Sequence, residues 1–259
     1  MVKQMVSEEE LKKVLKELRA EGNLARVEKE IRPFLRDVDP ETLSLVEQEL
    51  MEEEGFDLED LRNLCGIHLR AIDIKREEHE LDEDHPISIL KAEHEIILDN
   101  LNALERIAKK IKSNISLDQF NDELKRLELV AALLLEAESH HQREERALFP
   151  RLEEHGIIGP PNVMRIEHED LRARKRVLKK LLDERDEYDQ NYLTNKILEL
   201  CNHIILTLRD HIYKENNILY PLALRVIPEN EWKNIREEFD VIGYCCFTPK
   251  AKVRGEHHC

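Results

Sequence analysis

The feature that most restricts how this chain can fold is a set of four long amphipathic segments between residues 86 and 220. Short connections join them, and each carries a histidine on or beside its apolar stripe. At about 100° per residue, Ile87, Leu90, Ile97, Leu98, Leu101 and Ala108 align on the first segment, with His94 near the middle of the stripe. Met164, Leu171, Leu178 and Leu182 align on the third, with His168 at the edge. On the fourth, Leu193, Ile197, Leu200, Ile204, Leu208, Ile218, Leu219 and Leu222 form one stripe, and His211 and Glu215 sit inside it. Each segment is ~20 to 30 residues, or roughly 30 to 45 Å of helix. That format predicts an antiparallel up-down-up-down four-helix bundle.

The second segment opens with a capping box, Ser116 and Gln119, and its stripe of Val130, Leu133, Leu134, Ala137 and Leu148 is centred between two pairs, His140/Glu144 and His141/Glu145. Periodicity does not choose between them. A His and a Glu four residues apart differ by only ~40° around a helix, so both side chains can reach one spot inside a bundle. A buried carboxylate is costly unless it is paired or bound to a cation. HxxxE twice, with a His on each remaining helix, therefore predicts a shared metal site. Imidazole with carboxylate suits iron, manganese or zinc, and two carboxylates able to bridge favour a pair of metals.

Elsewhere the composition supports helix throughout: 7 Gly, 9 Pro and 5% aromatic residues, with abundant Glu, Lys, Leu and Arg. The expected class is all-α. Ser7 with Glu10, Pro40, and stops at Gly22 and Gly55 outline a small helical domain over residues 1–82. The polar stretch EEHELDEDHP separates it from the bundle, residues 83–225, and residues 226–259 read as a short helix, EWKNIREEF, and a tail. Lys plus Arg number 40 against 56 Asp plus Glu, a net charge of −16 that argues against nucleic acid as a partner. No apolar run approaches the ~18 residues of a membrane span, and MVKQMVSEEEL lacks the core of a signal peptide, so a cytoplasmic protein without membrane contact is expected. Five cysteines without framework spacing fit reduced thiols. Cys65 with His68 reads as a packed helical face, Cys201 as core, and Cys245, Cys246 and Cys259 as tail.

The segments KAEHEIIL around His94, SHHQREERALFP around His140, VMRIEHEDLR around His168 and DHIYKENNILYP around His211 resemble the hemerythrin family. More specifically, they resemble the hemerythrin-like cation-binding domains that include di-iron proteins for iron–sulfur cluster repair. The resemblance implies a non-haem di-iron centre with two irons per chain, in which Glu144 and Glu215 bridge and His94, His140, His168 and His211 are terminal ligands. Its Leu-Phe-Pro register selects His140 and Glu144, so loss of His141 should leave the centre intact. Zinc or another divalent metal can replace iron in such a donor set. The N-terminal region and EWKNIREEFDVIGYC are similar to segments found in archaeal and bacterial hemerythrin–PAS proteins.

One position departs from the pattern. Oxygen-carrying hemerythrins commonly have a second His one turn after the third-helix ligand, where this chain has Arg172. Arginine stays protonated and does not ligate, which leaves one metal less saturated by nitrogen. His85, just before Pro86, is the candidate replacement, although nine residues from His94 sets it about 180° away on a continuous helix. The leading functional expectation is a di-iron protein that binds or senses oxygen or nitric oxide, or handles iron for cluster repair. Two others stand beside it: a di-iron oxidoreductase, and an iron-responsive interaction module whose N-terminal helices relay metal loading to a protein partner.

Overall fold

The computed structural model describes residues 81–113 and 116–249, together with Glu9, Lys12, Lys13, Lys16, Val46 and Leu50. The expected N-terminal domain, its proposed partner-binding role, Cys65, His68 and Cys259 lie outside the described residues. Among the described residues there is no strand, and no helix is long and apolar enough to cross a membrane. The chain groups into two compact units. One consists of residues 81–149, 165–213 and 229–259; the other gathers residues 150–164 and 214–228 with residues 1–80.

The larger unit is built on long helices. Helix α1, Pro86–Lys112, starts where Pro86 supplies a fixed φ at the first turn and His85 Nδ1 accepts from the Ile87 N–H at 3.2 Å. Helix α2, Leu117–Glu136, begins at the Ser116/Gln119 capping box that the sequence shows. At Ala137 ψ is −2° instead of the ~−42° of a regular helix, and the chain restarts as the short α3, Glu138–Arg143. A π-helical turn, Glu144–Leu148, follows, then α4, Phe149–Glu154. Helix α5 spans Gly159–Asp183, and α6, Gln190–Lys214, opens where Asp189 Oδ1 accepts from the Asn191 and Tyr192 N–H groups at 3.1 and 3.0 Å. A core running from Leu101 and Leu104 through Leu127, Leu171, Leu178 and Ile197 to Ile204 joins α1, α2, α5 and α6 into the expected bundle.

In the smaller unit a second π turn, Glu215–Leu219, continues the helix after α6, and α7, Tyr220–Val226, follows. Proline ordinarily ends a helix, yet helix continues past both Pro150 and Pro221. The physical reason is the preceding π turn. Phe149 N–H bonds to Glu144 O and Tyr220 N–H to Glu215 O, each five residues back, so each proline follows a turn wide enough to relieve the clash its ring would make with a carbonyl four residues earlier.

The short helix expected at EWKNIREEF is present and runs longer, while residues 243–248, expected as tail, are partly buried. Helix α8, Glu229–Ile242, buries Trp232, Ile235, Arg236 and Phe239 at helical spacing and packs against α1, α3 and the first π turn. Gly243, at φ +97°, turns the chain out of α8 through a conformation that glycine adopts without strain. Beyond it Cys245 and Thr248 are buried, while Cys246 is exposed. Cys201 lies in the core, as its stripe position implies.

Candidate metal centre

His94, His140, Glu144, His168 and His211 are buried and lie together in the larger unit; Glu215, in the smaller unit, is also buried. His94 Nε2 and His140 Nε2 are 3.0 Å apart, and His168 Nε2 and His211 Nε2 are 2.9 Å apart. Glu144 Oε2 stands 3.5 Å from both His140 Nε2 and His168 Nε2, a position between the two imidazole pairs. Each bridging candidate opens one of the π turns, a helix irregularity that recurs at functional sites.

A row of carboxylates orients the imidazoles. His140 Nδ1 bonds to Glu93 Oε2 at 2.7 Å, His168 Nδ1 to Glu145 Oε1 at 2.8 Å, and His211 Nδ1 to Glu167 Oε2 at 2.8 Å. With Nδ1–H donated outward, the tautomer assigned from these bonds leaves each Nε2 a lone pair facing inward. Two such lone pairs 2.9 Å apart repel unless a proton or cation lies between them. Nitrogens each ~2.1 Å from a metal and at right angles across it are ~3.0 Å apart, so the pairs have the spacing of adjacent metal ligands. Two buried carboxylates and the inward imidazoles are also the donor types that bind iron, manganese or zinc. The residues fit a metal pair.

The two sides differ in surroundings. Burial alone would raise the Glu93 pKa, but the Arg143 guanidinium and the His140 bond overcome it and hold the carboxyl at about 2. Arg143 Nη2 contacts both Glu93 oxygens at 2.7 Å. Burial likewise opposes the charge on Glu145, and the bonds from His168 and Arg172 bring its pKa below the ordinary carboxylate value.

Arg172 is held by carboxylates. Its guanidinium meets Glu138 at 2.7 Å, Glu145 at 3.1 Å and Glu169 at 2.6 Å. His85 is the N-cap of α1, its ring centroid 4.6 Å from that of Trp232, and it joins none of the ligand groups found among the described residues.

The residue set aside by the sequence reading is His141. It is buried, its ring stacks on His168 with centroids 4.0 Å apart, and it forms a three-histidine group with His168 and His211. Its Nδ1 makes no hydrogen bond among the described residues, Glu138 Oε2 being 3.9 Å away. Burial pushes the His141 pKa well down, and neighbouring His168 and Lys175 add to the effect, so the imidazole is neutral and able to ligate. Consecutive residues sit about 100° apart on a helix, so His140 and His141 flank the centre of the apolar face and both enter the interior. Glu93 and Glu167 were also missed, and Glu145 was weighed only as the partner of His141. Their signal was a Glu next to His94, Glu144 and His168, in AEHE, REER and IEHE.

Residues 85–223 match the hemerythrin HHE cation binding domain, and residues 11–78 match a family of unknown function, DUF438. The chain is 34% identical over 97 residues to the iron-sulfur cluster repair protein YtfE of Musicola paradisiaca, covering 36% of this chain and 44% of that protein. It is 37% identical over 91 residues to the YtfE of Dickeya chrysanthemi, covering 33% and 41%. For the YtfE of Yersinia pseudotuberculosis the identity is 33% over 100 residues, covering 37% and 45%. The aligned region thus spans less than half the length of these relatives. With more than half of its own length matched, and with His94, His140, Glu144, His168, His211 and Glu215 all inside the matched stretch, the chain belongs to the hemerythrin HHE cation-binding family.

Proposed function

We propose that this protein handles iron in the manner named for its YtfE relatives, repair of iron–sulfur clusters, through a pair of non-haem irons held in the bundle. The observation that carries the reading is the placement of Glu144 Oε2, 3.5 Å from one nitrogen of each inward imidazole pair. His94 and His140 would hold one metal and His168 and His211 the other, with His141 as a further nitrogen on the second. Glu144 and Glu215 would bridge. Such a pair supplies one-electron chemistry and a position for oxygen or nitric oxide.

The chain's own residues do the rest. Glu93, Glu145 and Glu167 hold the imidazoles in the tautomer that faces Nε2 inward, and the surrounding apolar core keeps bulk water from the carboxylates. His141 takes the part expected of a histidine at the position of Arg172, so the second metal need not be short of nitrogen. Arg172 instead secures Glu145.

The test is transfer. Protein loaded anaerobically with Fe(II) is incubated, with a thiol reductant, with a cluster protein whose [4Fe–4S] cluster has been oxidised to [3Fe–4S], a form that needs one Fe(II) and one electron to be restored. The reading predicts that the cluster absorbance returns while iron leaves this chain in proportion. Iron that stays bound while the cluster remains broken would contradict it.

A further inference from the structure

The family match ends at residue 223, but the structure carries the hydrogen-bonded surroundings of His140 well past it. Glu93, the carboxylate that receives His140 Nδ1, is fully buried and takes three kinds of donor. Arg143 Nη2 reaches both of its oxygens, and Thr248 Oγ1 donates to Oε1. Arg143 is itself boxed in. Its Nε donates to Ser139 O at 3.1 Å, its Nη2 also donates to Cys245 Sγ at 3.7 Å, and its Cζ lies 4.8 Å from the Tyr244 ring centroid and 5.4 Å from that of Phe239. Burial pushes the Cys245 thiol up to about 12, so it meets the guanidinium as a neutral acceptor and does not compete for it as a thiolate.

We propose that Thr248 and Arg143 are positioning residues of the metal centre: they fix Glu93, Glu93 fixes His140, and residues 229–248 thereby complete the site on the His94–His140 side. The inference rests on the two-metal reading above. Helix α8 brings Thr248 to Glu93, since Trp232, Ile235 and Phe239 are buried and Arg236 Nε donates to Asp84 O at 3.1 Å. On the His168–His211 side Glu145 is steadied instead by Arg172. By linkage, a metal that binds better when Thr248 is docked also holds Thr248 docked more firmly, so residues 229–248 register whether this one site is filled.

The experiment uses the full chain and Co(II), whose absorption resolves binding at each site, in competition with a chelator. Thr248→Val removes the donor at nearly constant shape; Thr248→Ser keeps it. The expected result is ~10-fold weaker Co(II) binding at one site in Thr248→Val, no change at the other, and full recovery in Thr248→Ser. Glu93→Gln should weaken the same site by ~10- to 100-fold. Equal weakening of both sites, weakening of neither, or loss in Thr248→Ser as large as in Thr248→Val would overturn the proposal. A wild-type chain that takes up one Co(II) would instead defeat the two-metal reading; positioning then fails separately if Thr248→Val binds that ion as tightly as wild type.

Discussion

The two sides of the centre use the same chemical parts in different surroundings. On the His94–His140 side, Glu93 and Arg143 are both 0% exposed, and their ion pair is closed over by Thr248 and Cys245. On the His168–His211 side, Glu145 is 22% and its partner Arg172 14% exposed, and Arg172 divides itself among three carboxylates. Two carboxylate–arginine pairs with equal sequence appeal thus carry unequal weight. Breaking a fully buried pair strands a charge without water, whereas breaking a wetted one lets solvent take over.

The largest effect should come from the residue that belongs to both sides. Glu144→Leu is expected to lower metal affinity at both sites by more than ~100-fold, whereas His211→Ala should empty one and spare the other. Elemental analysis of the purified variants after loading checks this, and one metal retained by Glu144→Leu would break the bridging assignment.

Next in size is the contrast between the two arginines. Arg143→Met leaves Glu93 buried and uncompensated and should cost about 3 to 5 kcal/mol in urea unfolding of the metal-free protein. Arg172→Met should cost about 1 kcal/mol or less, because its carboxylates reach water. Similar losses for both would mean that burial does not separate the two sides.

Lys175 sharpens the comparison in the opposite direction. It lies two turns beyond His168 on α5, is buried, and its Nζ makes no hydrogen bond among the described residues. Burial, reinforced by the Arg172 charge, lowers its pKa to about 8. The folded-state value is below that of the unfolded chain, so the unfolded chain holds more protons between the two values and stability rises with pH through that window. Lys175→Met should stabilise the metal-free protein by about 2 to 3 kcal/mol at pH 7. The gain should shrink as pH climbs from about 8 toward the ordinary lysine range, and a gain independent of pH would rule out the lysine charge as its cause.

The smallest effect expected is at His85. His85→Ala removes the N-cap of α1 and should cost about 1 kcal/mol without changing metal content. Metal lost in proportion would restore His85 as a ligand.

Much of this centre was readable because its residues interrupt apolar stripes. His94, His168, His211 and Glu215 stand out once a 3.6-residue period is imposed, and the bundle follows from the same stripes. What the period hides is local departure from it. The π turns at Glu144 and Glu215 carry helix through Phe149-Pro150 and Tyr220-Pro221, where proline signals an end, and His140 and His141, about 100° apart, both reach the interior so that the period does not choose between them. Glu93, Glu145 and Glu167 were illegible for another reason: each serves a histidine on a different helix, and which helix faces which is decided by packing. Residues 243–248 have no period at all, so nothing in their order announces that Thr248 will reach Glu93.

The central claim, a metal pair bridged through Glu144, is tested most directly by iron analysis and X-ray absorption on protein loaded anaerobically with Fe(II). The account predicts two irons per chain and an iron–iron distance within ~4 Å. One iron per chain, or two with no iron–iron scattering, would contradict it.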